Sequence, residues 1–481
     1  MDARSTSDAV TIRAAGAMPA VAALCCLASL ALFWPGYAMF DSVDQFGQAL
    51  SGDYNDWHPP IMARLWALLH DSFGGGAAPM LVLQMTLYWL GLGLIAGALR
   101  RSGRWRAGPA VLLVGLVPLW LGWQAVVLKD TQMAGALLAA TGLIAWWRLA
   151  GRRLPPLAFA MVIVLLGYAT LVRANAAFAT VPLGVLALSG APLRAGRAVV
   201  VAIAAIIAVL AIEPVINHDL LAAAPSGVEH TEALFDLAGI AGRSSSAAGT
   251  GLTTAERRQI LARHCARPFF WDPLGAPGHC DTTMARLDSL PTGRLYRTLA
   301  TAIVHHPLAY AGHRLAHLNS TERWLVPARW PAAAPPDQSE PNTLGLATPG
   351  RAAARWQSVA GALADTPLGW PFAWVIVALT TAAALRSAPP SPARQLALAL
   401  AGSALAMEAS FVVLSIASDL RYHLWSILAA ALALVLAGGA APLDRRAVAI
   451  GGGVLALACL AAIAARAMLP LPPVGYEAML G

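Results

Sequence analysis

The chain has 481 residues, of which 58% are hydrophobic and 12% charged, with a mean hydropathy of +0.62. A soluble chain carries roughly 25% charged residues, so a water-soluble globular protein is excluded and a polytopic membrane protein is expected. The net charge of +8 lies mostly in arginines clustered between apolar stretches. That is how topology signals are arranged, so nucleic acid is excluded as a partner.

In chain order, the first expected span is 17–38; its apolar stretch, from about 17 to 34, is long for a signal-peptide core, and no small-x-small cleavage site stands out after it. It reads as a retained first span. Further spans of about 20 residues are expected at 79–99, 108–127, 131–149, 156–172, 176–192, 198–214, 367–385, 395–417, 423–440 and 447–466, about eleven in all. Basic residues alternate between them. Arg4 and Arg13 precede the first span, and Arg100, Arg101, Arg104 and Arg106 follow the second. Arg148, Arg152 and Arg153, then Arg194 and Arg197, Arg386 and Arg394, and Arg445 and Arg446 complete the pattern. All fall on one side if the N-terminus is cytoplasmic.

The segment 59–73 would invert every later basic loop if it crossed the membrane. It is therefore expected to be a short interfacial or re-entrant helix, with Leu65, Leu68 and Leu69 on its buried face and Arg64 and His70 off it. The division expected is an N-terminal transmembrane module over 1–214 with its first outer loop at 39–78. An extracytoplasmic subdomain follows over 215–366, with amphipathic stretches at 228–242 and 295–320, and then C-terminal transmembrane helices over 367–481.

Polar residues gather on the outer side. The first outer loop reads Asp41-Ser-Val-Asp44-Gln, then Asn55-Asp-Trp-His58-Pro-Pro. On a helix, the i,i+3 spacing puts both carboxylates on one face. The plain alternative is a capped helix start, with Asp41 as N-cap and Asp44 in the first turn. Lys129, Arg173 and Arg421 break the topology rule, each at the outer end of a span. Singly, each is explained by snorkelling or by a local ion pair, Lys129 with Asp130 or Arg421 with Asp419. Together, on the side of Asp41 and Asp44, they point to a shared anionic ligand.

Cys265 and Cys280 bracket a Pro- and Gly-rich loop and are expected to pair in an oxidising compartment. A metal site with the adjacent His264 and His279 is the alternative. Glu408, inside a span, is read as a hydrogen-bonding group to a neighbouring helix. His313 and His317 stand i,i+4, but with no third ligand they fit an interfacial helix better than zinc. Glu229, His230 and Asp236 read as a solvated face, with shaping of an acceptor site as the alternative. A divalent ion on Asp41, Asp44 and His58 is left open, because hard oxygen sites usually need more ligands.

These motifs and their order resemble the GT-C superfamily of membrane glycosyltransferases, which includes the protein O-mannosyltransferases and the lipid A aminoarabinose transferases. The matches are the acidic first outer loop, the His58-Pro-Pro step, Arg173-Ala-Asn175, His306-Pro-Leu-Ala-Tyr310 and Asp419-Leu-Arg421-Tyr422. They are scattered from about residue 20 to 440. The spacing of Asp41 and Asp44 departs from the single acid or adjacent acid pair common in that group, so which of the two is catalytic stays open.

The resemblance implies a GT-C-like all-α fold in a bacterial inner membrane. It also implies a polyprenyl-phosphate-linked sugar as donor and a glycan, lipid or protein as acceptor, with transfer on the outer face. Asp41 or Asp44 would then be the base. Lys129, Arg173 and Arg421 would serve the phosphate, and His58, Asn175 and Tyr422 would bind or position substrate. A transporter or flippase of an anionic lipid-linked substrate, or a glycan polymerase or ligase, is the competing expectation.

Overall fold

The computed structural model describes residues 3–189, 195–438, 443–473 and 475–480, the side chains of 3–16 and 195 excepted. Arg194 and the ends of the expected spans 176–192 and 423–440 lie outside the described residues, as do the side chains of Arg4 and Arg13. The described residues form helices and turns, with isolated bridges in place of strands. The chain is an all-α, multi-pass membrane protein.

In order, the helices are α1 (Ala3–Phe33), α2 (Phe40–Ser51), α3 (Pro60–Phe73), α4 (Ala78–Arg101), α5 (Ala107–Gly115), α6 (Pro118–Gln124) and α7 (Lys129–Arg148). Next come α8 (Pro156–Leu171), α9 (Ala177–Leu188), α10 (Ala195–Val215), α11 (Val228–Arg243), α12 (Thr254–Ala262), α13 (Asp281–Asp288) and α14 (Thr292–His305). The last are α15 (Pro307–Thr321), α16 (Arg351–Ala364), α17 (Pro371–Ala384), α18 (Pro392–Leu414), α19 (Leu424–Gly438), α20 (Arg445–Met468) and α21 (Tyr476–Leu480).

Among the described residues, five helices are long and apolar enough to cross a membrane, or six if α5 and α6 are one span bent by 58°. The bend falls where Pro118 opens α6, since proline cannot continue the hydrogen-bond ladder of the helix before it. Shorter apolar helices occupy 17–33, α8, α9 and α17. Helix α3 is about 21 Å long, short of the roughly 30 Å hydrocarbon core.

Within the protein, α3 packs through a face other than its leucines. Met62, Ala63 and Trp66 are inside, while Leu68 is 62% exposed. Trp66 packs against Phe46 of α2 at 5.0 Å between ring centroids, and Leu65 and Leu69 are half-buried.

The chain divides into two compact units, each drawn from three stretches. The first comprises Met1–Ala224, Ala333–Glu408 and Arg421–Leu457; the second comprises Pro225–Ala332, Ala409–Leu420 and Ala458–Gly481.

In the first unit, α4 and α7 approach through glycines. A Cβ on Gly91 would stand 2.3 Å from the Leu138 carbonyl carbon, and one on Gly142 would stand 2.7 Å from the Gly91 oxygen. Small residues let membrane helices pack backbone to backbone. Beside this contact lies a buried amide network. Gln84 Nε2 donates to the carbonyls of Gln124 (2.6 Å) and Val126 (3.0 Å), and Gln132 Nε2 donates to Gln84 Oε1 (3.0 Å). It satisfies the backbone of the non-helical stretch that delivers the chain into α7.

The second unit is built on α11, whose Phe235, Leu237, Ala238 and Ile240 are buried with Leu295 and Leu299 of α14. Cys265 and Cys280, joined as a disulfide, lie in the same core. The amphipathic stretch 295–320 is two helices, broken where Pro307 opens α15. Helix α12 starts with a capping box. Thr253 Oγ1 accepts from the Glu256 N–H, Glu256 accepts from the Thr253 N–H, and Arg286 grips the same carboxylate.

His313 and His317 face this unit's interior, edge-on to Phe235 at 4.6 and 5.2 Å. His313 Nε2 is 3.2 Å from Asp236, and His317 Nδ1 lies 2.6 Å from the Pro268 carbonyl. Asp236 is 2% exposed and accepts from Arg314 at 2.6 Å, so it is not on a solvated face.

Candidate active site

Two loops of the first unit are laced together ahead of their helices. The Tyr37 N–H donates to the Ala125 carbonyl (3.1 Å), and the Val127 N–H donates to the Tyr37 carbonyl (2.9 Å). The hydroxyl of Ser42 then donates to the Val127 carbonyl (2.6 Å) while accepting from the Met39 N–H (2.9 Å). These bonds set the N-termini of α2 and α7 side by side. Asp41 is the second residue of α2 and Lys129 the first of α7, so the two side chains meet. Met39 takes the N-cap position, so Asp41 is not the cap.

A second lacing places His58. The Asp56 N–H donates to Ala224 (3.1 Å), and the Ala224 N–H donates to Tyr54 (2.8 Å). Arg64 stacks on Tyr54 at 4.0 Å and donates to the Leu221 carbonyl. Pro59 and Pro60 then start α3 and hold His58 at its entrance.

The result is a chain of alternating charges. Asp41 Oδ2 is 3.0 Å from Arg421 Nη1 and 3.7 Å from Lys129 Nζ, and Asp41 Oδ1 is 3.8 Å from His58 Nε2. On the far side of Arg421 stands Asp130, whose Oδ2 lies 3.9 Å from Arg421 Nε. Asp130 Oδ1 pairs closely with Arg173 Nη1. Arg173 Nε donates to Asn175 Oδ1 (2.7 Å). Tyr422 lies under both guanidiniums, 4.1 Å from Arg173 and 5.3 Å from Arg421. None of the charged side chains is more than 14% exposed, and Asp130 is fully buried. Arg421 and Tyr422 are carried by the turn that opens α19, which His423 anchors to Glu408 at 2.7 Å.

Lys129 Nζ also donates to His58 Nδ1 (2.6 Å). An ammonium has no lone pair, so Nδ1 is the acceptor and a neutral ring carries its proton on Nε2. Burial and then the charge of Lys129 push the His58 imidazole down to about 3, so the ring is neutral. Burial by itself would raise Asp41, but Arg421 and Lys129 outweigh it and hold the carboxyl well below the usual carboxylate range.

Asp44 stands apart. Its Oδ2 accepts from Gln48 Nε2 (2.8 Å), and Gln48 in turn accepts from the Asn55 N–H (3.1 Å). Burial raises its carboxyl, the Gln48 bond opposes that, and the charge of Asp41 adds to it.

Six of the residues singled out in the sequence thus come together with Asn175 beside Arg173: Asp41, His58, Lys129, Arg173, Arg421 and Tyr422. Asp44 lies outside this contact set, and Cys265 and Cys280 belong to the second unit. The pairing of Lys129 with Asp130 is corrected: Lys129 faces Asp41, and Asp130 faces Arg173 and Arg421. Adjacent residues of a helix do not face one another, and that rule was the available signal for assigning Asp130 a different partner.

A divalent ion does not fit Asp41, Asp44 and His58. The Asp41 oxygens are met by Arg421 and Lys129, whose charges would repel it, and His58 Nδ1 is engaged by Lys129. Among the described residues, no group of three His, Cys, Asp or Glu could hold a metal ion.

No protein-family model and no curated protein matches the chain. Two solved structures resemble it in fold. One is an oligosaccharyltransferase of Archaeoglobus fulgidus in complex with Zn and sulfate, at 14% identity and a TM-score of 0.35, over 94% of this chain and 54% of that one. The other is ArnT of Cupriavidus metallidurans bound to undecaprenyl phosphate, at 13% identity and a TM-score of 0.29, over 88% of this chain and 76% of that one. The chain spans about half the length of the archaeal enzyme. At these scores the likeness carries no argument, and the chemistry below rests on the residues.

Proposed function

We propose that the chain is a membrane glycosyltransferase that moves a sugar from a polyprenyl-phosphate donor to an acceptor hydroxyl, on the outer face of a bacterial inner membrane. The observation that carries this is the buried charge chain. Three cations and two carboxylates converge from α2, α7, the α8–α9 turn and the turn before α19, leaving one unit of positive charge. Shielded from water, such a cluster favours an anion, and a phosphodiester supplies one negative charge. The N-termini of α2 and α7 add their partial positive charges.

In this reading Asp44 is the base and Asp41 organises the cations. A carboxylate clamped between Arg421 and Lys129 is a weak proton acceptor. One with a raised pKa and a single neutral hydrogen bond is a better match to neutral pH. Asp44 takes the proton of the acceptor hydroxyl as its oxygen attacks the anomeric carbon. The bond from that carbon to the phosphate oxygen breaks, its electron pair stays on the phosphate, and polyprenyl phosphate leaves. Lys129, Arg421 and Arg173 stabilise the charge that builds there, with His58 Nε2–H as a neutral donor. The proton on Asp44 then passes to solvent.

Incubation of the purified protein with a polyprenyl-phosphate sugar and candidate acceptors tests this. Release of polyprenyl phosphate with sugar transfer is expected; vectorial movement of intact donor would show a transporter instead. Asp44→Asn should lower kcat by about 10²–10⁴-fold with donor binding kept. Asp41→Asn should chiefly weaken donor binding. In the wild type the rate should fall as pH drops through the raised pKa of Asp44, and that acid limb should vanish in Asp44→Asn. Full activity of Asp44→Asn would overturn the assignment.

A further inference from the structure

Asp130 has no role in the chemistry above, yet it is the most deeply buried charge in the cluster. Its side chain is fully buried, one oxygen is paired with Arg173, and the other faces Arg421 at 3.9 Å. That second oxygen, Oδ2, meets no hydrogen-bond donor among the described residues, so Asp130 engages Arg421 by charge and not by a formed bond. A carboxylate at that depth is little screened, and its charge acts almost undiminished on both guanidiniums.

The transferase reading gives this charge a consequence. The donor is a phosphodiester with one negative charge. The leaving polyprenyl phosphate is a monoester whose second ionisation falls near pH 6, so it carries close to two. With Asp130 present the cluster holds one net positive charge, and without it two. We propose that Asp130 is a positioning residue that sets the charge of the phosphate site, matching it to the singly charged donor and not to the doubly charged product. It spaces Arg173 and Arg421 for the phosphate and, by cancelling one of them, lets the product go.

The test uses the full chain in detergent and two non-reacting probes, a short-chain polyprenyl phosphate and its methyl diester. Asp130→Asn keeps the shape and removes the charge. It should bind the monoester at least about tenfold tighter than wild type, with a smaller change for the diester. Turnover should show a first-round burst followed by slow release. A residue with only a structural role would weaken both probes together. The double variant Asp130→Asn/Arg173→Gln restores the net charge and should bring monoester affinity back to within about threefold of wild type.

Where Asp130→Asn does not fold, Arg173→Gln decides in the opposite direction: it removes a cation and should weaken the monoester more than the diester. Unchanged or weaker monoester binding by a folded Asp130→Asn overturns the inference, as do equal losses for both probes in Arg173→Gln. The inference rests on the transferase reading, and the wild type separates the two. A wild type that releases no polyprenyl phosphate from a donor sinks the transferase reading. A wild type that does, beside an unshifted Asp130→Asn, sinks this inference alone.

Discussion

Tyr422 lies under two guanidiniums, and its ring, not its hydroxyl, makes both contacts. Tyr422→Phe keeps the ring face and should leave donor affinity within about twofold of wild type. Tyr422→Ala removes a cation–π platform worth about 0.5–2 kcal/mol, and so should raise KM for the donor by about 2- to 30-fold. A titration of donor against initial rate distinguishes them, and equal losses in both would show that the hydroxyl matters. At this scale much of the site was readable. Charges beyond the topology rule drew attention to Lys129, Arg173 and Arg421, and an acidic first loop to Asp41 and Asp44. Asp130 was not, because proximity in sequence suggested Lys129 as its partner, and only the helix geometry turns the two apart.

The elements that deliver these side chains depend on close backbone approach. Gly91 meets the backbone of Leu138 so tightly that any Cβ collides. Gly91→Ala should therefore spread α4 from α7, displace Lys129 and Asp130, and cost about 1–3 kcal/mol, read as a lower unfolding midpoint in detergent. Gly167→Ala in α8 is the control, since nothing lies within 4 Å of its Cβ. It should leave the midpoint unchanged or raise it, because alanine is the better helix former. Helix α3 was readable as an element, and α2 only as a conditional helix start around Asp41 and Asp44. The packing of Phe46 on Trp66, which joins the two helices, had no signal in the leucine pattern.

Across the whole molecule, the arginine-rich loops and the charge cluster are proposed to lie on opposite sides of the membrane. Ser51 and Ser102 are both exposed, the first at the end of α2 and the second after α4. In a variant with Cys25, Cys26 and Cys459 replaced, Ser51→Cys should react with a membrane-impermeant thiol reagent in intact cells. Ser102→Cys should react only after permeabilisation. The reverse pattern would put the site on the cytoplasmic face and remove the outer-face reading.

Composition, span lengths and the placing of arginines determined from sequence alone that this is a helical membrane protein with a polar segment after its first apolar stretch. Those signals act over a window of neighbouring residues, because water and lipid sort each short stretch by its own polarity. Which charge meets which was decided only by the tertiary structure. Asp41, Asp130, Arg173 and Arg421 come from distant parts of the chain, and their pairing depends on backbone bonds such as Tyr37 with Val127 and on glycine contacts such as Gly91 with Leu138. The energy of a buried ion pair depends steeply on distance and burial, and neither exists until the helices have packed.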